Sequence, residues 1–150
     1  MEYKTLIKPI LWYGSVTWTL TQTAEQRLNT FGRKILRIYG PSQEGGYYRP
    51  RWNSEHYILY NEPNIVEDIK IRRLGWAGHI IRMDEERIPK KVLNGKFYTK
   101  KPVGRPRTRW AGVFQRDALQ LMGIRGWRRK AENRDELRHL MREVKALKGL

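Results

Sequence analysis

Phosphodiester chemistry with two metal ions needs carboxylates that converge on one site, so the acidic residues are the first candidates. No Asp-Asp pair occurs, and the acidic groupings are Glu67-Asp68 and Asp84-Glu85-Glu86. Glu67-Asp68 falls in the first turn of an expected helix, where the exposed amides stabilise negative charge. The triplet follows a helix end and is flanked by Arg82 and Arg87. Helix capping and surface charge account for both groupings better than metal binding. What remains is a minimal nuclease in which His79 serves as base beside Asp84 and Glu85. The three histidines, His56, His79 and His139, lack the two-His helical spacing of zinc peptidases. The absence of cysteine excludes Cys-ligated zinc, disulfides and thiol nucleophiles. No glycine-rich phosphate loop is present. No catalytic residue, metal ligand or cofactor is assigned, and the chain reads as a binder and not as an enzyme.

The residues suited to binding are cationic and lie in two places. Lys70, Arg72, Arg73 and Arg82 share one helical segment with Trp76 and His79. A cationic flank there can lie on phosphates while Trp76 packs inward or stacks on a base. The second place runs from Lys96 to Arg109, with six basic residues and no acidic one. Within it, Pro102, Gly104 and Pro106 block regular structure, so Lys100, Lys101, Arg105, Arg107 and Arg109 are expected on an extended loop. Guanidinium groups bind phosphate in a forked geometry that an ammonium cannot match.

Lys and Arg outnumber Asp and Glu by 31 to 15, a formal net charge of +16 over 150 residues. Self-repulsion of this size is normally relieved by a polyanion, and nucleic acid is the default partner. The longest uncharged run, Pro9 to Ala24, contains four Thr, Gly14, Ser15 and Gln22, too polar and short to span a bilayer. The expectation is an intracellular chain, in nucleus or cytoplasm, with no membrane partner and no small-molecule substrate. Leu, Ile, Val and Phe make up 35 residues, enough for one modest core.

The elements that position these residues read as helices. Leu6, Ile7, Ile10 and Leu11 recur at helical spacing between Tyr3 and Tyr13, and Gly14-Ser15 ends the pattern. Thr23 with Gln26 opens a second helix whose stripe is Leu28, Phe31, Ile35 and Ile38. Inside it, Gly32 costs about 1 kcal/mol relative to Ala. A loop is expected from Gly40 to Asn53, then a short helix over 54–61. Asn64 with Glu67 caps a long helix reaching Met83, in which Gly75 and Gly78 either kink the axis or admit a close neighbour. Residues 88–93 are a helical turn or a short strand. Thr108 opens a helix through Met122, with Trp110, Val113, Phe114 and Leu121 near one face and Asp117 opposite. Asn133 with Glu136 caps the last helix, whose stripe is Leu137, Leu140, Met141, Val144 and Leu147. The fold class is therefore all-α, a small irregular bundle of about five or six helices with an extended basic loop.

Three motifs also carry a resemblance. Arg73-Leu74-Gly75-Trp76-Ala77-Gly78-His79-Ile80-Ile81-Arg82-Met83, then Ile88-Pro89-Lys90-Lys91, then Gly104-Arg105-Pro106-Arg107 with Arg109-Trp110 and Asp117, resemble the C-terminal region of non-LTR retrotransposon reverse transcriptases. The opening Pro9-Ile10-Leu11-Trp12-Tyr13-Gly14-Ser15 with Trp18 is similar to that family's segment just after the polymerase palm. Together the motifs cover nearly the whole chain in the family's order. Two departures are Val16, where the family usually has Glu, and Gly32, where it has a larger residue.

The resemblance implies a helical thumb and C-terminal extension that grip template and primer, downstream of the catalytic aspartates. Neither polymerase nor endonuclease activity is carried over to this chain. The implied organisation is a thumb-like segment over 1–40 and a loop with a short helix over 41–63. A basic Trp-Ala-Gly-His helix and turn follows over 64–94, then the cationic loop over 95–107 and C-terminal helices over 108–150. The expected partners are RNA or DNA backbone and, second, a reverse transcriptase palm. A competing expectation is a protein-interaction module in which the apolar stripes of the second and last helices dock a palm or a second copy.

Overall fold

A computed structural model describes residues 2–95 and 110–149, and the side chains of these up to residue 146. A π-helical turn, Tyr3–Ile7, runs into α1 (Lys8–Trp12), and Gly14, at φ 69°, reverses the chain into a 3-10 turn over Ser15–Thr17. Helix α2 (Gln22–Leu36) begins two residues earlier than expected. Thr21, not Thr23, is its cap, in extended backbone and accepting from the Ala24 amide at 3.2 Å. The stripe expected on α2 is also displaced. Gly32 and Leu36 are buried, whereas Ile38 lies beyond the helix and is 75% exposed.

The expected loop after Gly40 contains a hairpin. Strands β1 (Ser42–Glu44) and β2 (Tyr47–Arg49) pair antiparallel, Glu44 opposite Tyr47, about a Gly45-Gly46 turn with φ of 56° and 86°. Positive φ at both central residues is the tight turn that matches strand twist, and two glycines adopt it without strain. Arg49 then binds the carboxylates of Glu44 and Glu55 at 2.8 and 2.7 Å, tying the hairpin to α3 (Asn53–Tyr60).

Helix α4 (Ile65–Ile81) starts where expected, with Asn64 Oδ1 accepting from the Glu67 amide at 2.9 Å. Eleven of its 17 residues are buried, so it is a central helix wrapped on most sides and not a surface helix with one apolar stripe. Its N-terminal half packs with Leu20, Trp12 and Leu28, and its C-terminal half fills the main core. That core joins Leu74, Ala77 and Ile80 to Leu93 of α5 (Ile88–Asn94), and to Phe114 and Ala118 of α6 (Trp110–Met122). Trp127 and Ala131 of α7 (Trp127–Glu132) and Leu137 of α8 (Arg134–Gly149) complete it.

Residues 88–93 are thus helical, and α7 is an additional helix that the sequence pattern does not reveal. Helix α8 begins after Asn133, whose side chain accepts from the amides of Asp135 and Glu136 at 3.0 and 3.2 Å. Its apolar stripe faces inward, with Leu137 and Val144 only 3% and 4% exposed. Leu137 joins this chain's own main core with Met141 packed against it, and Leu140 is half-buried. The architecture is mainly α, with the one hairpin as the β structure among the described residues.

Gly75 and Gly78 do not interrupt α4, which runs unbroken from Ile65 to Ile81. They admit α8. A Cβ on Gly75 would lie 3.1 Å from Met141 Cε, and one on Gly78 would collide with Leu137 Cδ2. Gly32 differs, because a Cβ there would meet Ile65 at 3.9 Å, ordinary van der Waals contact.

Candidate nucleic-acid interface

The cations predicted on α4 divide by helical position. Arg73 is fully buried and forms an ion pair with Asp117 of α6 at 2.5 Å, while its other terminal nitrogen donates to the Trp18 carbonyl at 2.5 Å. Burial pushes the Arg73 guanidinium down and the Asp117 carboxyl up, and each partner's charge pulls the other back. The contact leaves Arg73 Nε and Asp117 Oδ1 without hydrogen-bond partners among the described residues. Arg73 therefore cannot reach a phosphate, and Asp117 is not on an outer face. Lys70 is likewise corrected. It is 7% exposed and its ammonium reaches Glu25 at 3.0 Å and Gln120 at 3.3 Å. The physical reason is common to both: a central helix has little outward surface, so positions 70 and 73 point into neighbours whatever their charge.

Arg72 lies between these fates. Its guanidinium carbon stacks 3.6 Å from the Trp12 ring centre and its Nε lies 3.6 Å from Asp68, yet 43% of the side chain is exposed. Asp68 pairs with Arg72 and with the buried Lys8, the latter at 3.4 Å. Among the described residues, no cluster of His, Asp and Glu is arranged to hold a metal ion. Trp76 packs half-buried against the main core, its ring centre 5.5 Å from that of the exposed His79. Arg82 is also exposed, donating to the Ala131 carbonyl at 2.5 Å.

Helix α8 supplies the cations that sequence reading missed. Arg134, Arg138, Arg142 and Lys145 are all exposed, and the first three recur every four residues. Side chains four apart on a helix are neighbours, about 5–6 Å between Cβ atoms, so they form one basic edge. Arg138, Met141, Arg142 and Lys145, with Asp135, line a cavity of about 470 Å³. Arg82 joins this edge: burial foremost, then the charges of Arg134 and Arg138, holds its guanidinium below the usual arginine range. Mutual repulsion of this kind marks a place where an anion is welcome. The interleaved acids are partly occupied, Asp135 lying 3.7 Å from Arg138 and Glu143 3.6 Å from His139. The signal was legible as an i, i+4, i+8 arginine series on the polar side of a strongly amphipathic helix.

Lys100, Lys101, Arg105, Arg107 and Arg109 lie outside the described residues. Trp110 Nε1 donates to the Val16 carbonyl at 3.2 Å and Arg116 to the Leu20 carbonyl at 3.1 Å. With Arg73 on Trp18, alternate carbonyls at 16, 18 and 20 are thus each held by a side chain from α4 or α6.

Comparison with known proteins finds a distant similarity to a transposon-derived protein. The chain is 24% identical over 117 residues to a Caenorhabditis elegans protein described as transposon-derived and otherwise uncharacterized. The match covers 77% of this chain and 42% of that protein, so the chain spans less than half of its relative's length. This supports a transposon-related origin. No protein-family model matches the chain, and no solved structure does. Among the described residues, no helix is long and apolar enough to cross a membrane.

Proposed function

We propose that this chain grips the phosphate backbone of nucleic acid as a helical accessory segment of a transposable element's reverse-transcription machinery, without catalytic residues of its own. The observation that supports it best is the basic edge of α8, where Arg134, Arg138, Arg142 and Lys145 are exposed and Arg82 of α4 feels the repulsion of two of them. The exposed cations offer charge and forked donors but no paired base-reading amides, so the binding is to backbone with little sequence preference. The six basic residues between Lys96 and Arg109 add to the same sign of charge. In this reading RNA, DNA or their hybrid is the ligand, and the thumb-like grip implied by the resemblance is the biological setting.

Gel-shift titration across salt concentrations tests it. Five phosphate contacts from α4 and α8 give a log-log slope of about −4.5 on duplex DNA. A flat salt dependence overturns the proposal.

A second reading is favoured by an exposed apolar row near the start of the chain. Leu6, Ile10 and Tyr13 are 60%, 73% and 88% exposed and recur at i, i+4 and i+7. Such a row suits docking onto a polymerase palm or a second copy. Sedimentation separates the readings: a monomer up to high concentration that still binds nucleic acid favours the first, and self-association abolished by Ile10→Lys favours the second.

A further inference from the structure

The hairpin that the sequence pattern left as a loop builds a cavity of its own, remote in sequence from α8. It measures about 510 Å³ and is lined by Arg37, Tyr48, Arg49, Arg51, Asn53 and His56, with glycine and proline walls. Its charges are unequally engaged. Arg49 is taken up by Glu44 and Glu55, whereas neither Arg37 nor Arg51 forms an ion pair with a carboxylate among the described residues. The site also holds two buried polar atoms without partners among the described residues, Arg51 Nε and His56 Nδ1. His56 is only 7% exposed. Buried donors and acceptors in folded proteins are nearly always paired, and two orphans against one cavity point to a ligand that pairs them. Meanwhile Tyr48 is 72% exposed on the rim, a large ring left facing solvent where it gains nothing from the core.

We propose that this cavity receives one unpaired nucleotide, its phosphate held by Arg37 and Arg51 and its base laid against Tyr48. A bare phosphate would leave most of the volume and the aromatic rim unused, and pockets of this size suit small organic ligands. Stacking on an aromatic side chain accepts any base, because every base has a π face, while His56 Nδ1 offers one hydrogen-bonding position to its edge in either tautomer. The proposal rests on the nucleic-acid reading but uses a different surface. Together, α8 would track a backbone and the hairpin would hold a single-stranded end or a displaced nucleotide.

The test uses the full chain and a short single-stranded oligonucleotide carrying 2-aminopurine, whose fluorescence is quenched on stacking. Quenching on binding is expected. Tyr48→Ala, at an exposed position that leaves the fold intact, is expected to abolish the quenching and weaken binding about 10-fold. Arg37→Gln should weaken binding without abolishing the quenching of bound probe. The triple variant Arg138→Gln, Arg142→Gln, Lys145→Gln should lose duplex affinity and keep the quenching. Unchanged quenching in Tyr48→Ala, or competition by inorganic phosphate as effective as by a nucleoside monophosphate, overturns the proposal while leaving the α8 reading standing. Loss of duplex binding in Tyr48→Ala alone, with the α8 variant unaffected, would overturn both.

Discussion

Arg73 and Asp117 come from two of the three motifs that carry the family resemblance, and the structure brings them into one buried contact that also captures the Trp18 carbonyl. Removing one partner of such a pair leaves an uncompensated charge in a dry interior, whereas replacing both with apolar residues of similar volume is often tolerated. Asp117→Ala is therefore expected to lose about 3–5 kcal/mol in urea denaturation, and Arg73→Met with Asp117→Leu to recover most of it. Glycines divide in the same way. Gly78→Ala forces a methyl into Leu137 and should cost about 1–3 kcal/mol, while Gly32→Ala fits its surroundings and should gain about 1 kcal/mol. Thermal melts of the two single variants should move in opposite directions. At this scale the sequence identified residues that matter but not what they do. Charge type marked Lys70 and Arg73 as phosphate ligands, and only the packing around α4 shows that both are consumed inside.

Elements were legible wherever period and cap agreed. The caps at Asn64 and Asn133 appear as expected, and the long helices fall within a few residues of their patterns. The hairpin was missed because its strands are three residues each, too short for alternation to register, although Gly45-Gly46 was a turn signal in plain view. Helix α7 was missed because six residues give too little periodicity. Between elements, the N-terminal turn is fastened by charge: Lys4 and Lys8 reach Glu62 at 2.8 and 2.6 Å, across the loop that precedes α4. Burial alone would raise the Glu62 carboxyl, but the contacts from the Lys4 and Lys8 ammonium groups prevail and bring it down to about 2. A folded value below the ordinary 4.5 means the folded state binds fewer protons. The stabilisation is thus complete above pH 4.5 and is lost as pH falls from 4.5 towards 2. Denaturation at neutral pH should show Glu62→Gln less stable than wild type, and the gap should close through that acid window.

Over the whole molecule, the net charge of +16 was the plainest property of the sequence, and the fold shows how unevenly it is deployed. Lys8, Lys70 and Arg73 are withdrawn into internal pairs, while the arginines of α8 remain outward. Neutralising Arg138, Arg142 and Lys145 together is therefore expected to flatten the salt slope on duplex DNA by about 2.7, whereas Lys70→Gln should leave the slope unchanged and lower stability instead. Composition could announce a polyanion partner, but the choice of face depended on which helix ends up central, a tertiary fact without a local signature.

The fastening of the Val16, Trp18 and Leu20 carbonyls has a temporal side. Their partners lie 94, 55 and 96 residues further along the chain. At a synthesis rate of about 5–20 residues per second, the segment leaves the ribosome roughly 5–20 s before Trp110 and Arg116 can take hold of it. Until then the Val16 and Leu20 carbonyls lack these partners, Arg73 alone being in place on Trp18, and a nascent chain paused before α6 is expected to be more open to proteases there than the finished chain.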